Sequence, residues 1–191
     1  MNAVTTAERR YTPEDLLRMP DGNRYELVDG ELVERVMSMW SSYVAGRCFA
    51  KVNEHCEKHR SGWVFPEGTS YQCFPDAPTK VRRPDTSFIR LDRLTAAQVN
   101  EEGHCPIAPD LAVQVISPND VKYEVDRWVR EFLSAKTPLV WVINPDVKTV
   151  EIYRANGPAE ILTEKDILSG ENVIPGFSCK VSDLFIAPQQ C

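Results

Sequence analysis

Apolar and polar positions alternate with different periods along this chain, and each change of period marks an element. In "TPEDLLRMP", Thr12 stands as N-cap, Pro13 at the first helical position and Glu14 and Asp15 in the first turn, which predicts a short helix that stops at Pro20. "RYELVDGELVERV" holds two strand-like runs around Asp29-Gly30, a pair that favours a tight turn with positive φ, and so predicts a β-hairpin. Over residues 42–59 the apolar set Val44, Cys48, Phe49, Val52 and Cys56 recurs at helical spacing, with Ser41 or Ser42 as cap and Gly62 beyond the end. "GWVFPEG", "SYQCF" and "DTSFIRL" read as strands joined by loops rich in proline and glycine.

The next run, "PDLAVQVISPND" at 109–120, is β-branched and bounded by prolines, the pattern of a strand covered on both faces. Its one polar inward-capable residue is Gln114. A buried amide costs free energy unless it is hydrogen-bonded, so Gln114 is either a core amide with partners or part of a site. Beyond it, Val121, Val125, Trp128, Val129, Phe132 and Leu133 share one helical face, with Asn119 as N-cap and Thr137-Pro138 as the stop. "LVWVINP" follows as a second buried strand, "TVEIYRA" as an alternating one, and short strands close the chain around "NVIPGFSCKVSDLF". Strand, helix and strand across 111–144 form a crossover that lays parallel strands side by side. The expected architecture is α/β: a mixed β-sheet flanked by helices, with the 42–59 helix on one face, the 119–135 helix on the other and a hairpin at the N-terminal side.

Composition narrows the class. With 191 residues, 42% apolar and 26% charged, the chain suits one domain over 1–191. It has neither a membrane-length apolar run nor a signal-peptide pattern in "MNAVTTAERRYTPEDLL", so a cytoplasmic protein is expected. Six scattered cysteines lack C-x-x-C spacing and read as reduced thiols. The net charge of −6 argues against an all-over basic coat. One local patch stands out, where Lys80, Arg82, Arg83, Arg90 and Arg93 crowd around Asp85.

Candidate chemistry follows from where acids meet strand ends. Asp85 opens a strand and Glu26 lies in the first hairpin strand. Carboxylates converging at a sheet edge suit Mg²⁺, which takes hard oxygen ligands and orders water for attack on phosphate. Blander roles also fit: Asp85 as a turn or cap residue after Pro84, Glu26 as a solvent-facing strand residue, Trp128 as core packing and the arginines as solvated charge. His55 and His59 lie one helical turn apart, but the glutamate of "HCEKH" is misplaced for a helical zinc-protease motif, so zinc is not expected.

Five segments in order, "RYELVDGELVE", "RPDTSFI", "APDLAVQVISPND", "VREFLSAKTPLVWVINPDVKTVEIYR" and "IPGFSCKVSDLF", resemble the Uma-two family of endonucleases, within the PD-(D/E)-x-K restriction-endonuclease-like superfamily. The resemblance implies a Mg²⁺ or Mn²⁺ site built from Glu26, Asp85 and a third acid in the strand before "SP", where this chain carries Gln114. It also implies a lysine. The superfamily position falls on Ile116 and the family's helical position on Trp128, one turn before Phe132, leaving Lys122 and then Arg127 as nearby substitutes. Exchanging a carboxylate ligand for an amide removes up to about 4 kcal/mol at ~4 Å and an effective dielectric near 20, about a thousandfold in metal affinity.

Two functions from different classes follow. One is a metal-dependent DNA endonuclease with a degenerate site, in which Glu26, Asp85, Gln114 and Lys122 do the chemistry, the metal is weakly bound and Arg82 and Arg83 touch nucleic acid. The other is a catalytically inactive nuclease fold that binds nucleic acid or protein. A homodimer is expected by analogy with nucleases that cut two strands.

Overall fold

The computed structural model describes residues 10–188; residues 1–9 of the segment read for a signal peptide, and Cys191, lie outside them. The chain order is α1 (Pro13–Arg18), a 3-10 turn (Gly22–Arg24), β1 (Tyr25–Val28), β2 (Glu31–Glu34), α2 (Met39–His59), β3 (Gly62–Pro66), β4 (Thr86–Arg90), α3 (Ala96–Val99), β5 (Leu111–Val115), α4 (Lys122–Ser134), β6 (Leu139–Asn144), β7 (Thr149–Arg154), β8 (Glu160–Leu162), β9 (Ile167–Ser169) and β10 (Ser178–Lys180), followed by a 3-10 turn. Strands β3 to β8 form one six-stranded sheet in chain order. Only β5 and β6 run parallel, and α4 is the crossover between them.

The period of two along β5 and β6 distributes their side chains. Leu111, Val113, Val115, Leu139, Trp141 and Ile143 join Val44, Cys48, Val52 and Cys56 of α2 in one core. Ala112, Val140 and Val142 join Trp128, Val129 and Phe132 of α4 in the other. Gln114 is in register with Val142 and therefore lies on the α4 face. The two one-sided helices thus cover opposite faces, as their patterns require, and the mixed α/β sheet with its hairpin is the architecture expected from the sequence.

The hairpin stands apart as a two-stranded sheet. Asp29 and Gly30 carry positive φ at its turn, as their pairing demands. One antiparallel bridge, Leu27 to Val81, ties it to the segment before β4. Among the described residues, no helix is long and apolar enough to cross a membrane.

Several local expectations are corrected. Helix α2 starts at Met39, because Ser38 accepts the Ser41 amide at 3.0 Å and caps it earlier than Ser41 or Ser42 would. Helix α4 starts at Lys122 after Val121, with no side-chain cap; Asn119 does not cap it. Asp120 instead turns back to accept the Ser117 amide at 2.8 Å, so "SPND" closes as a turn. "SYQCF" is not a strand: only Tyr71 makes isolated bridges, to Arg82 and Cys105, before Pro75 interrupts the run.

Candidate active site

Asp85 precedes β4 and completes the end of the β4–β5 ladder. Its amide donates to the Val113 carbonyl at 2.9 Å, and its Oδ2 accepts the Val115 amide at 2.6 Å, a donor that β4 is too short to reach. Its carboxylate is sealed from solvent, with 0% of the side chain exposed. Burial pushes this carboxyl up to about 6, against the opposing pull of Arg35 and of the Val115 amide. Glu26, in the middle of β1, is also buried. Its Oε1 accepts the Arg83 amide at 2.7 Å and its Oε2 accepts from the Arg82 guanidinium at 2.7 Å.

The structure brings Glu26, Asp85 and Gln114 together, but around an arginine. Arg35, one residue past β2, reaches Glu26 Oε1 at 3.5 Å, Gln114 Oε1 at 3.2 Å and Asp85 Oδ1 at 2.5 Å, and also donates to the Arg83 carbonyl. Burial alone would lower the pKa of this guanidinium, but the charges of Asp85 and Glu26 outweigh it and hold the pKa raised. Gln114 is thus neither a bare core amide nor a free ligand, because its carbonyl oxygen is turned onto Arg35.

Arg82 and Arg83, read from sequence as nucleic-acid contacts, are buried. Arg82 bridges Glu26 and Glu131, each at 2.7 Å. Arg83 donates to the backbone carbonyls of Tyr25 at 2.9 Å, Gly22 at 3.3 Å and Gly68. Both guanidinium groups are engaged inside the protein, on its own acids and carbonyls. Lys122 is 78% exposed, pairs with Asp126 at 3.3 Å and is not among the residues lining the cleft beside Gln114.

That cleft has a volume of about 380 Å³. Its buried lining includes Glu26, Arg82, Gln114 and Trp128, and its exposed lining includes Glu34, Asn119, Asp120 and Glu124. Trp128 packs on Phe132 with ring centroids 4.5 Å apart, the core role its apolar face allows. Its indole N–H is buried and makes no hydrogen bond among the described residues. Trp128 is therefore a hydrophobic wall of the cleft.

A divalent ion does not fit these residues as they stand. Mg²⁺ wants near-octahedral oxygen ligands. The three side-chain oxygens that converge here converge on a guanidinium. Glu26 and Asp85 face Arg35 and Arg82, so the negative charge that would draw a metal is already balanced. Among the described residues no group of three or more His, Cys, Asp or Glu side chains is placed to hold a metal.

Arg35 is the residue that sequence reasoning missed. It lies on the alternation of Glu31 and Val33 as the chain leaves the hairpin, but nothing in the local sequence marks it as the partner of Asp85 and Gln114.

Residues 13–182 match the Uma2 family model, described as "Putative restriction endonuclease". A crystal structure of "a putative nuclease belonging to DUF820" from Anabaena variabilis ATCC 29413 is similar, with a TM-score of 0.77 at 22% identity over 91% of this chain and 97% of that one. At that identity the likeness is one of fold. No functionally curated protein matches the chain.

Proposed function

The chain belongs to the Uma2 family, and from that premise we propose that it is a nucleic-acid-directed protein of the nuclease fold in which Mg²⁺- or Mn²⁺-dependent DNA endonuclease activity is lost or very weak. One observation carries this reading: Gln114, at the position of the third acid, spends its carbonyl oxygen on Arg35 at 3.2 Å. Trp128 compounds the loss, because a buried indole supplies neither the cation nor the proton transfer that a lysine would bring to an attacked phosphate. DNA as ligand is taken from the family's described activity. A cytoplasmic location and a homodimer accompany the proposal, the latter by analogy with enzymes that act on both strands.

A protein-binding role is the second reading, favoured by the inward-facing Arg82 and Arg83 and by the acids Glu34, Asp120 and Glu124 on the exposed lining of the cleft. Exposed acids repel phosphate unless the cations of the same cleft, Arg127 the most exposed of them, outweigh them.

Two assays test the proposal together. Purified protein is incubated with supercoiled plasmid and with single-stranded DNA in EDTA, Mg²⁺ or Mn²⁺, beside an Asp85→Ala control, and fluorescence anisotropy reads DNA binding at low and moderate salt. Salt-sensitive binding without metal-stimulated cleavage is the expected result. Cleavage by the wild type that Asp85→Ala abolishes would sink the loss of hydrolysis, and absence of DNA binding would put the protein-binding reading first.

A further inference from the structure

We propose that Arg35 is the resident cation of this centre: a side chain that permanently occupies the point where three oxygens from three separate segments meet, and that makes the fold around the cleft independent of divalent metal. The inference deepens the reading above and rests on it only for the identity of the centre.

Glu26 Oε1 comes from β1, Asp85 Oδ1 from the residue before β4 and Gln114 Oε1 from β5, and all three aim at one guanidinium. The Arg83 carbonyl adds a fourth oxygen. Such a convergence of acceptors is a cation cradle whatever fills it. Here the filler is covalently part of the chain, and only 10% of its side chain is exposed. Two buried carboxylates that have lost their water repel each other, and a positive charge between them offsets both costs. A planar guanidinium meets oxygens lying in several directions through its fork of donors, which an ammonium does not match.

The location of Arg35 explains what the cation does for the structure. It sits on the link between β2 and α2, outside the six-stranded sheet, and each contact to Asp85 and Gln114 ties that link to the sheet. Glu26 and Arg82 continue the tie to Glu131 on α4. Beyond its backbone bridge the hairpin is also held by Arg83 on the Tyr25 carbonyl, by Arg127 on Asp29 and by apolar contacts of Leu27 with Leu16 and Val81, and Arg35 adds the tie to Asp85 and Gln114.

The test is a thermal-denaturation series on the full chain with cations as the probes. Wild-type Tm should be the same in EDTA and in 10 mM Mg²⁺ or Mn²⁺, to within about 1 °C, because the cradle is filled. Arg35→Ala should lose about 10 °C or more in EDTA, since it strands two buried carboxylates. It should then recover at least about half of that loss with millimolar Mn²⁺ or with methylguanidinium, but not with K⁺ at matched ionic strength. Adding Asp85→Asn to Arg35→Ala should abolish the recovery.

If Arg35→Ala does not fold, Arg35→Lys keeps the charge and should fold with a smaller loss, and Arg35→Ala with Asp85→Asn should fold because one of the two carboxylates is then neutral and Glu26 keeps Arg82. The proposal is overturned if Mg²⁺ or Mn²⁺ stabilises the wild type, if Arg35→Ala is as stable as wild type in EDTA, if neither cation restores a folded Arg35→Ala, or if both fallback variants also fail to fold. None of these readouts involves nucleic acid, so a wild type that cuts DNA removes the loss of hydrolysis without touching them, and a metal-responsive wild type removes the resident cation without requiring cleavage.

Discussion

Arg82 and Arg154 each grip two glutamates, one beneath the hairpin and the other on the open end of the sheet. Arg82 holds Glu26 and Glu131 at 2.7 Å with 7% of its side chain exposed. Arg154 holds Glu171 through Nε at 2.8 and 3.0 Å and Glu160 through an Nη at 2.7 Å, with 29% of its own side chain and 52% of Glu160's exposed. Drawn as bond lengths the two clusters are equivalent. In energy they are not, because water replaces the protein partners of Arg154 far more readily than those of Arg82, whose glutamates are 5% and 13% exposed. The inner cluster also joins distant parts of the chain, β1 to α4, whereas the outer one ties the end of β7 to β8 and to the turn after β9.

The largest effect expected from this contrast is at Arg82. Arg82→Ala leaves Glu26 buried with one cation fewer and removes one of the three cations on Glu131, at a cost of about 3–5 kcal/mol. Urea denaturation followed by circular dichroism measures it. Adding Glu26→Gln should return part of the loss, because the stranded charge is then gone. A cost under about 1 kcal/mol would erase the distinction between the clusters.

The same contrast explains what could be read from the chain and what could not. The hairpin, both long helices and the buried strands are local: Asp29-Gly30, the Val44-to-Cys56 stripe and the run from Leu111 to Val115 each announce themselves within one turn, one helix or one strand. Helix starts were less legible, because Ser38, Ser41 and Ser42 are all competent caps and tertiary contacts select Ser38. The centre was half legible. Glu26, Asp85 and Gln114 are marked by residue type at strand positions, but Arg35 lies 9, 50 and 79 residues from them, and no local pattern encodes such partners. Arg82 and Arg83 looked like a solvent-facing patch because sequence shows charge and not burial. Their neutralising acids and carbonyls come from the hairpin, from α4 and from the loop after β3.

A second effect, of intermediate size, is pH-dependent and concerns Glu131. Burial raises its pKa, but Arg82 and Lys80 outweigh that and hold the carboxyl below its ordinary 4.5. The unfolded chain therefore takes up this proton at higher pH than the folded chain does. The stabilisation is complete above about pH 5 and is lost as pH falls through the lower folded value. Glu131→Gln should cost roughly 1–2 kcal/mol near pH 7, allowing for partial solvent screening. The gap from wild type should close as the pH is brought toward 3. Denaturation curves at pH 7, 5, 4 and 3 for both proteins check this, and a gap that stays constant would mean that Glu131 acts through packing and not through charge.

The smallest effect belongs to Arg154, and it sharpens the comparison because its geometry is as good as that of Arg82. Two Nε contacts and two Nη contacts to Glu171 and Glu160 would suggest a strong lock if distance decided strength. Exposure decides instead. Each glutamate regains hydration when the guanidinium is removed, and the arginine regains side-chain freedom when it is released, so Arg154→Ala should cost only about 0–1 kcal/mol. The Debye length is about 3 Å at 1 M salt, so the difference from wild type should shrink further in 1 M NaCl. The cost of Arg82→Ala should persist there, since ions do not enter its site. Urea denaturation of both variants at 0.05 and 1 M NaCl separates the two, and equal salt sensitivity would show that the inner cluster is far wetter than its burial indicates.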